Sequence, residues 1–305
     1  MTLPAAQGAG EHVTKPKLWD NSVLAALDAC EVLGVQRYRE HLDEPEPDAS
    51  KHMGSVLHIG INTFYTSGSV ATAVAATRAA WGVFLSPRKP WLTAEYAAQI
   101  MAMFPRTLDV TRWGYEVLHT ERYIANESAE HCGILDLHVR DAEGVHGVFD
   151  VKSTALWLSG AWQEQWRHSE QGAGYLDLAE HAYGEPMRYF GVLAIHIQSA
   201  KPRKDGSFEP RVPKPDDFIK IGPHEYSPAL RAELRRTRIG KIARAKVVFD
   251  GIAEPIKRTR SCMDFNRQCP HLRYCVMDPS DRAEAYAMAV ATGALVKREW
   301  KPEER

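Results

Sequence analysis

Asp136 and Asp150 stand on either side of the turn-forming stretch "DAEG", and Lys152 follows the second aspartate by two residues. If the turn is the loop Ala142-Glu143-Gly144, with Gly144 in the left-handed conformation that such loops favour, Asp141 faces Val145. That register sets Leu135, Leu137 and Val139 opposite Val151, Phe149 and Gly147 on an apolar face. It also sets Asp136 directly opposite Asp150 on the other face, which Lys152 shares. A loop one residue longer would put Asp136 opposite Phe149 instead. Like charges opposed across two strands destabilise the pair unless something neutralises them. A hard divalent cation can do so, because Mg²⁺ is bound by one or two carboxylates with water and phosphate completing its shell. Solvent can do so as well, with the carboxylates splayed apart and Lys152 neutralising one of them. The hairpin alone leaves both arrangements open.

The elements that must hold this hairpin can be placed from hydrophobic patterning. From about Tyr115 the chain turns to β-branched and aromatic alternation, in "HTERYIA", "HCGILDLHVR", "GVHGVFDVKST" and then "MRYFGVLAIHIQS". Between the last two lies a helical crossover, "AWQEQWRHSEQGAGYLDLAEHAYG", in which Gly172 and Gly174 weaken the helical pattern of the first turn. Upstream, helices are expected over 18–42, over "MGSVLHIGINTFYTS", in the Ala-rich segment after Gly68, and over "TAEYAAQIMAMF" with Thr93 as its N-cap. Downstream, "KPRKDGSFEPRVPKPDD" is a charged loop or hairpin tip, and "SPALRAELRRTRIGKIARAKVVFDGI" a long basic helix.

These residues resemble a known family. Asp136 on one strand followed by "D-V-K" on the next is similar to the PD-(D/E)XK nuclease superfamily, with Leu135 where the motif carries its proline. Gln171 and Tyr175 in "QGAGY" match the Q-x-x-x-Y helix of the RecB-type branch, and their spacing puts both on one helix face. "GSVLH", Gly54 to His58, resembles that branch's G-x-x-x-H element, which supplies a histidine metal ligand. "HTERYI" resembles the strand before the first acidic motif, with Glu121 near the branch's acidic position. The elements follow the family's order over roughly residues 20 to 280.

The cysteines extend the resemblance. Cys262, Cys269 and Cys275 fall together in "CMDFNRQCPHLRYC", while Cys30 lies far upstream. One N-terminal and three C-terminal cysteines resemble the iron-sulfur subgroup of RecB-like nucleases, which includes CRISPR-associated and AddB-type enzymes and binds a [4Fe-4S] cluster. Cys269 and Cys275 keep that subgroup's spacing. The gap from Cys262 to Cys269 is longer, and Asn266 stands where a cysteine is expected. Four thiolates suit a cubane cluster or a tetrahedral Zn²⁺, and His271 adds a mixed zinc site as an alternative. Cys132 has no assigned part.

The resemblance implies an α/β (α+β) fold, a central mixed β-sheet of the restriction-endonuclease-like type flanked by helices, with N- and C-terminal helical segments joined by a metal cluster. It implies a Mg²⁺- or Mn²⁺-dependent DNA exonuclease acting on single strands or free ends in recombination, DNA degradation or CRISPR adaptation. His58, Asp136 and Asp150 would hold metal, and Asp136, Asp150, Lys152, Gln171 and Tyr175 would form the catalytic set. The expected division is an arm over 1–17, a helical region over 18–110, a nuclease core over 111–225 and a C-terminal region over 226–305, packed as one domain. A non-catalytic DNA-end or partner-binding module that retains the fold, in a recombination or CRISPR complex, is the alternative.

The whole chain bounds these expectations. Its 305 residues, 44% hydrophobic, can bury a substantial core, and a net charge of -1 advertises no global affinity for nucleic acid. Local segregation does. Arg231, Arg235 and Arg238 fall on one stripe of the basic helix and, with Lys241, could track a phosphate backbone, or they could form a solvated face. Trp157, Trp162 and Trp166 could stack on bases, though such spacings more often mark core. The N-terminal stretch lacks a secretory or transit pattern, and the most apolar segment is interrupted by Arg78, so a cytoplasmic protein without a membrane span is expected.

Overall fold

The computed structural model describes residues 18–45, 48–86, 88–156, 158–258, 262 and 268–298. In chain order the labelled elements are α1 (Asn21–Ala29), α2 (Glu31–Gly34), β1 (Leu42–Asp43), α3 (Ala49–Ser67), α4 (Val70–Trp81), α5 (Ala94–Thr107), β2 (Glu116–Asn126), β3 (His131–Arg140) and β4 (His146–Thr154). Then come α6 (Gly160–Glu164), α7 (Glu170–Tyr183), β5 (Met187–His196), β6 (Phe218–Glu225), α8 (Pro228–Phe249), α9 (Leu272–Cys275), α10 (Pro279–Ala291) and β7 (Val296–Lys297). Contacts divide the chain into two compact units, Glu46–Gly240 and Met1–Pro45 with Lys241–Lys301. The helical region expected over 18–110 is therefore divided at Pro45, and α8 begins in one unit and ends in the other. Among the described residues no helix is long and apolar enough to cross a membrane.

The larger unit holds a five-stranded mixed sheet in the order β2-β3-β4-β5-β6, flanked by helices. Only β4 and β5 run parallel, because α6 and α7 carry the chain across between them; the other neighbours are antiparallel. Each sheet face has its own core. Leu137, Val139, Phe149, Val151, Leu193 and Ile195 pack with α3, α4 and α5 residues such as Met53, Leu57, Ala73, Ile100 and Phe104. Leu135, Val148, Phe190, Val192 and Ala194 pack with Tyr175, Leu176 and Leu178 of α7, and Leu230 and Leu234 of α8 lie against them.

The hairpin turn forms as its residues require. Asp141 N–H donates to Val145 O at 2.9 Å, Gly144 has φ 81°, and the Asp141 carboxylate caps Glu143 and Val145 N–H. Val139 pairs with Gly147 and Leu137 with Phe149, as the register predicts. The expected single apolar face does not continue to Leu135, which joins the core under α7 while Leu137 and Val139 join the one under α3–α5. The β3–β4 ladder ends at Leu137 and Phe149, and the alternation changes at Asp136, whose carboxylate takes the place of a ladder partner.

Several boundaries differ from the sequence pattern. The helix expected over 18–42 breaks at Cys30, whose extended backbone caps α1 and starts α2, and a π-helical turn follows at Val35–Arg39. The crossover divides as well, with a 3₁₀ turn at Gln165–His168 between α6 and α7 and the Ser169 side chain accepting Gly172 N–H to start α7. Thr93 caps α5 as expected, through Tyr96 N–H. Strand β6 was not expected, because Gly222-Pro223 interrupts "FIKIGPHE". In the smaller unit, α1, the π-helical turn and the end of α8 share a core of Trp19, Leu24, Tyr38, Ile242, Val248 and Phe249, and β1 pairs with β7.

Candidate active site

Three carboxylates share one row across three strands. The pairs on either side set Glu121 of β2 opposite Asp136 of β3, and continuing the β3–β4 register one step past its last pair, Leu137 with Phe149, sets Asp136 against Asp150 of β4. Glu121 departs from the ladder with φ 46°, a left-handed conformation that costs a non-glycine residue energy and here redirects its side chain. That side chain meets His58 of α3, whose Nδ1 lies 2.7 Å from Glu121 Oε1 and 3.5 Å from Asp136 Oδ1. One ligand atom from each of His58, Glu121 and Asp136 lies within 4.8 Å of the others, which is the reach of a single ion.

Gly54 explains how α3 delivers the histidine. A side chain there would put its Cβ 3.1 Å from Ser153 Oγ, so the glycine lets the helix lie close to β4, and His58 follows one turn later.

The other side of the row is organised around Asp150, which is 1% exposed. Lys152 Nζ lies 3.2 Å from Asp150 Oδ1 and 2.9 Å from Oδ2, yet Oδ2 accepts no hydrogen bond of acceptable angle. Gln171 Nε2 donates to Asp150 Oδ1 at 3.3 Å and to Tyr175 Oη at 3.1 Å, so the α7 pair holds the acid from the opposite face. Lys152 also sits 5.9 Å from the centre of the Trp166 ring.

Electrostatics show what the row lacks. Burial pushes the Asp150 carboxyl up to about 7, with Lys152 opposing and the Asp136 charge adding to the rise. Burial likewise raises Asp136, against the pull of His58. Burial would lower His58, but the Asp136 and Glu121 carboxylates carry it up to about 9. Two protein cations, the His58 imidazolium and the Lys152 ammonium, thus balance three acids. His58, Glu121 and Asp136 together offer a donor set that fits a hard divalent cation, with Asp150 beside them ion-paired to Lys152.

In the smaller unit all four predicted cluster cysteines are free thiols. Burial raises the Cys275 thiol, and its neighbours Cys269, Cys30 and Cys262 raise it further; Cys269 is raised by burial and by Cys262 and Cys30. Cys269 N–H donates to Cys262 O at 2.8 Å. His271 is fully buried with neither ring nitrogen hydrogen-bonded, and burial lowers it to about 4. Among the described residues, the group of three or more candidate ligand atoms close enough for a single ion is His58, Glu121 and Asp136, and no cysteine belongs to such a group. Cys132 is buried in the larger unit. Asn266 lies outside the described residues.

The basic stripe is placed differently from its expected phosphate-facing role. Arg231, Arg235 and Arg238 all ion-pair with Asp177 of α7, and Arg231 also with Glu180. Arg238 is 4% exposed. Their spacing on one face serves an inter-helix lock, because opposite charges on α7 lie directly beneath. Lys241 pairs with Asp28 in the smaller unit. Trp162 and Trp166 pack edge to face, 5.6 Å between centres, against the core under α7, and Trp157 lies outside the described residues.

Residue patterning alone did not single out Glu121, which entered through the resemblance. Counting β2 against β3 across the short turn at 127–130 would have set it opposite Asp136. Asp177 and Ser153 were missed because their roles depend on packing between elements distant in sequence.

No family model matches the chain, and no curated protein matches it. Among solved structures, the chain is similar to a crystal structure described as "Putative exonuclease" from Eubacterium rectale, at 15% identity and a TM-score of 0.49, covering 88% of this chain and 95% of that one.

Proposed function

We propose that this chain is a divalent-metal-dependent nuclease acting on DNA, and that it works as an exonuclease on single strands or free ends. The observation that carries the proposal is the convergence of His58, Glu121 and Asp136 within reach of one ion, with buried Asp150 on the next strand held by Lys152 and Gln171.

His58, Glu121, Asp136 and Asp150 would hold Mg²⁺ or Mn²⁺. When bound, such an ion supplies Lewis-acid polarisation of a phosphodiester and acidification of the attacking water. Lys152 orients that water and offsets negative charge developing on the phosphorus oxygens. Gln171, braced by Tyr175, keeps Asp150 turned toward the site while the Lys152 ammonium moves to substrate. The second metal expectation, a [4Fe-4S] cluster on Cys30, Cys262, Cys269 and Cys275 or Zn²⁺ with His271, rests on the cysteine spacing and on the buried, unpartnered ring nitrogens of His271, and would be structural within the smaller unit. Partner proteins of recombination or CRISPR complexes belong to the same proposal.

End-labelled single-stranded and duplex DNA incubated with Mg²⁺ or Mn²⁺ tests it. Wild type should shorten DNA from an end and stop in EDTA, and Asp150→Asn should be inert though folded. Equal cleavage by that variant overturns the assignment.

A further inference from the structure

If the α8 stripe is locked onto α7, the cations available to a phosphate backbone must lie elsewhere in the larger unit. The loop joining β5 to β6 holds them. Within residues 199–214, Lys201, Arg203, Lys204, Arg211 and Lys214 stand against Asp205 and Glu209, and Asp216 and Asp217 follow before β6, so the positive charge is confined to 199–214 in a chain whose net charge is -1. Lys201, Arg203, Lys204 and Lys214 are exposed, and none of the five forms an ion pair among the described residues. Arg211 keeps an enclosed Nε with no hydrogen-bond partner.

The loop has a fixed shape despite its composition. Pro202 and Phe208 form a β-bridge, Arg203 N–H donates to Ser207 O at 2.7 Å, and Gly206 turns the tip with φ 79°. The Asp205 carboxylate is engaged by Ser207 N–H and Oγ at 2.9 and 2.7 Å, so the tip acid braces the turn. Buried Asp217 clamps the two feet: Gln198 Nε2 donates to Oδ2 at 2.6 Å, Lys214 N–H to the same oxygen at 2.7 Å, and His196 Nδ1 lies 3.2 Å from Oδ1. Phe208 packs on Trp91, 5.2 Å between ring centres.

Its place relative to the candidate site follows from the parallel β4–β5 pair. Lys152 pairs with Ala194 and Thr154 with His196, and Ile197 N–H donates to Thr154 O at 2.7 Å, so the chain enters this loop at the end of the sheet toward which Asp150 and Lys152 lead. Arg231, by contrast, donates to Met187 O at the far end of β5.

We propose that residues 199–214 form a phosphate-binding arm that holds one DNA strand beyond the site. The proposal deepens the nuclease reading and rests on it for the identity of the polyanion. Such an arm grips sequence-independently, and each phosphate contact to a single strand contributes about 0.7 to the salt slope of binding.

Fluorescence anisotropy of labelled oligothymidine with the full chain in EDTA tests the arm. The triple variant Lys201→Gln, Arg203→Gln, Lys204→Gln should lower the slope of log affinity against log salt by about 2 and weaken binding about tenfold at ~0.1 M salt. The α8 variant Arg235→Gln, Arg236→Gln should leave both nearly unchanged, and the triple variant should keep wild-type hydrolysis of the nitrophenyl ester of thymidine 5′-phosphate in Mn²⁺. Unchanged binding by the triple variant, greater loss in the α8 variant, or no binding by wild type overturns the arm. If wild type binds but cuts neither DNA nor ester, the nuclease reading falls while the anisotropy still decides the arm.

Discussion

Asp136 Oδ2 accepts the backbone N–H of Val151 at 2.6 Å, so the carboxylate that faces His58 also closes the sheet where the β3–β4 ladder ends. Two functions of one side chain can therefore be separated. Asp136→Asn keeps an acceptor for Val151 and should fold with near-normal stability, whereas Asp136→Ala strands a buried N–H and should lose about 1–3 kcal/mol in urea denaturation. Both should lose Mn²⁺ binding by calorimetry and DNA cleavage. Retained cleavage in either removes Asp136 from the site.

Asp150 and Gln171 give a second test. Gln171→Ala leaves Asp150 paired with Lys152 but no longer held from α7, and turnover should fall about 10- to 100-fold with little change in stability. Lys152→Met should cost about 100-fold or more, since the ammonium acts on the reacting phosphate. A smaller loss for Lys152→Met than for Gln171→Ala would reverse the roles assigned to them.

The approach of α3 to β4 should be adjustable. Gly54→Val drives its side chain against Ser153 Oγ and moves His58 outward, and displacement of order 1 Å at a reacting centre costs about 100-fold in rate. Combining it with Ser153→Gly should restore part of the activity. No restoration would mean that the glycine matters for another reason.

Asp177 should govern acid stability of the larger unit. Burial alone would raise its carboxyl, but Arg235, Arg231 and Arg238 hold it down to about 2. A depressed acid stabilises the fold above its unfolded range near 3.9, and that stability disappears as pH falls toward 2. About 2 kcal/mol should vanish between roughly pH 5 and pH 2, and Asp177→Asn should be less stable at neutral pH with a flatter profile. Urea midpoints against pH measure this; parallel profiles would contradict it.

Protein purified without oxygen should be brown and carry about four irons per chain, and Cys269→Ser or Cys30→Ser should lose colour and iron together. Stoichiometric Zn²⁺ with no iron would favour the mixed site with His271.

The sequence by itself determined what was local. Turn chemistry at Asp141 and Gly144 fixed the hairpin register, Thr93 started α5, and the four-residue spacing of Gln171 and Tyr175 put both on one face, because each depends on backbone preferences within a few residues. Tertiary structure decided everything that needs a partner from afar. The left-handed backbone of Glu121 turns an acid toward a helix more than sixty residues upstream. Asp177 converts a basic stripe into an inter-helix lock, and Asp217 ties the feet of a polar loop that composition alone leaves unordered. Charge and period can be read along a chain, but whether a cation is free or paired depends on which surface the fold lays against it.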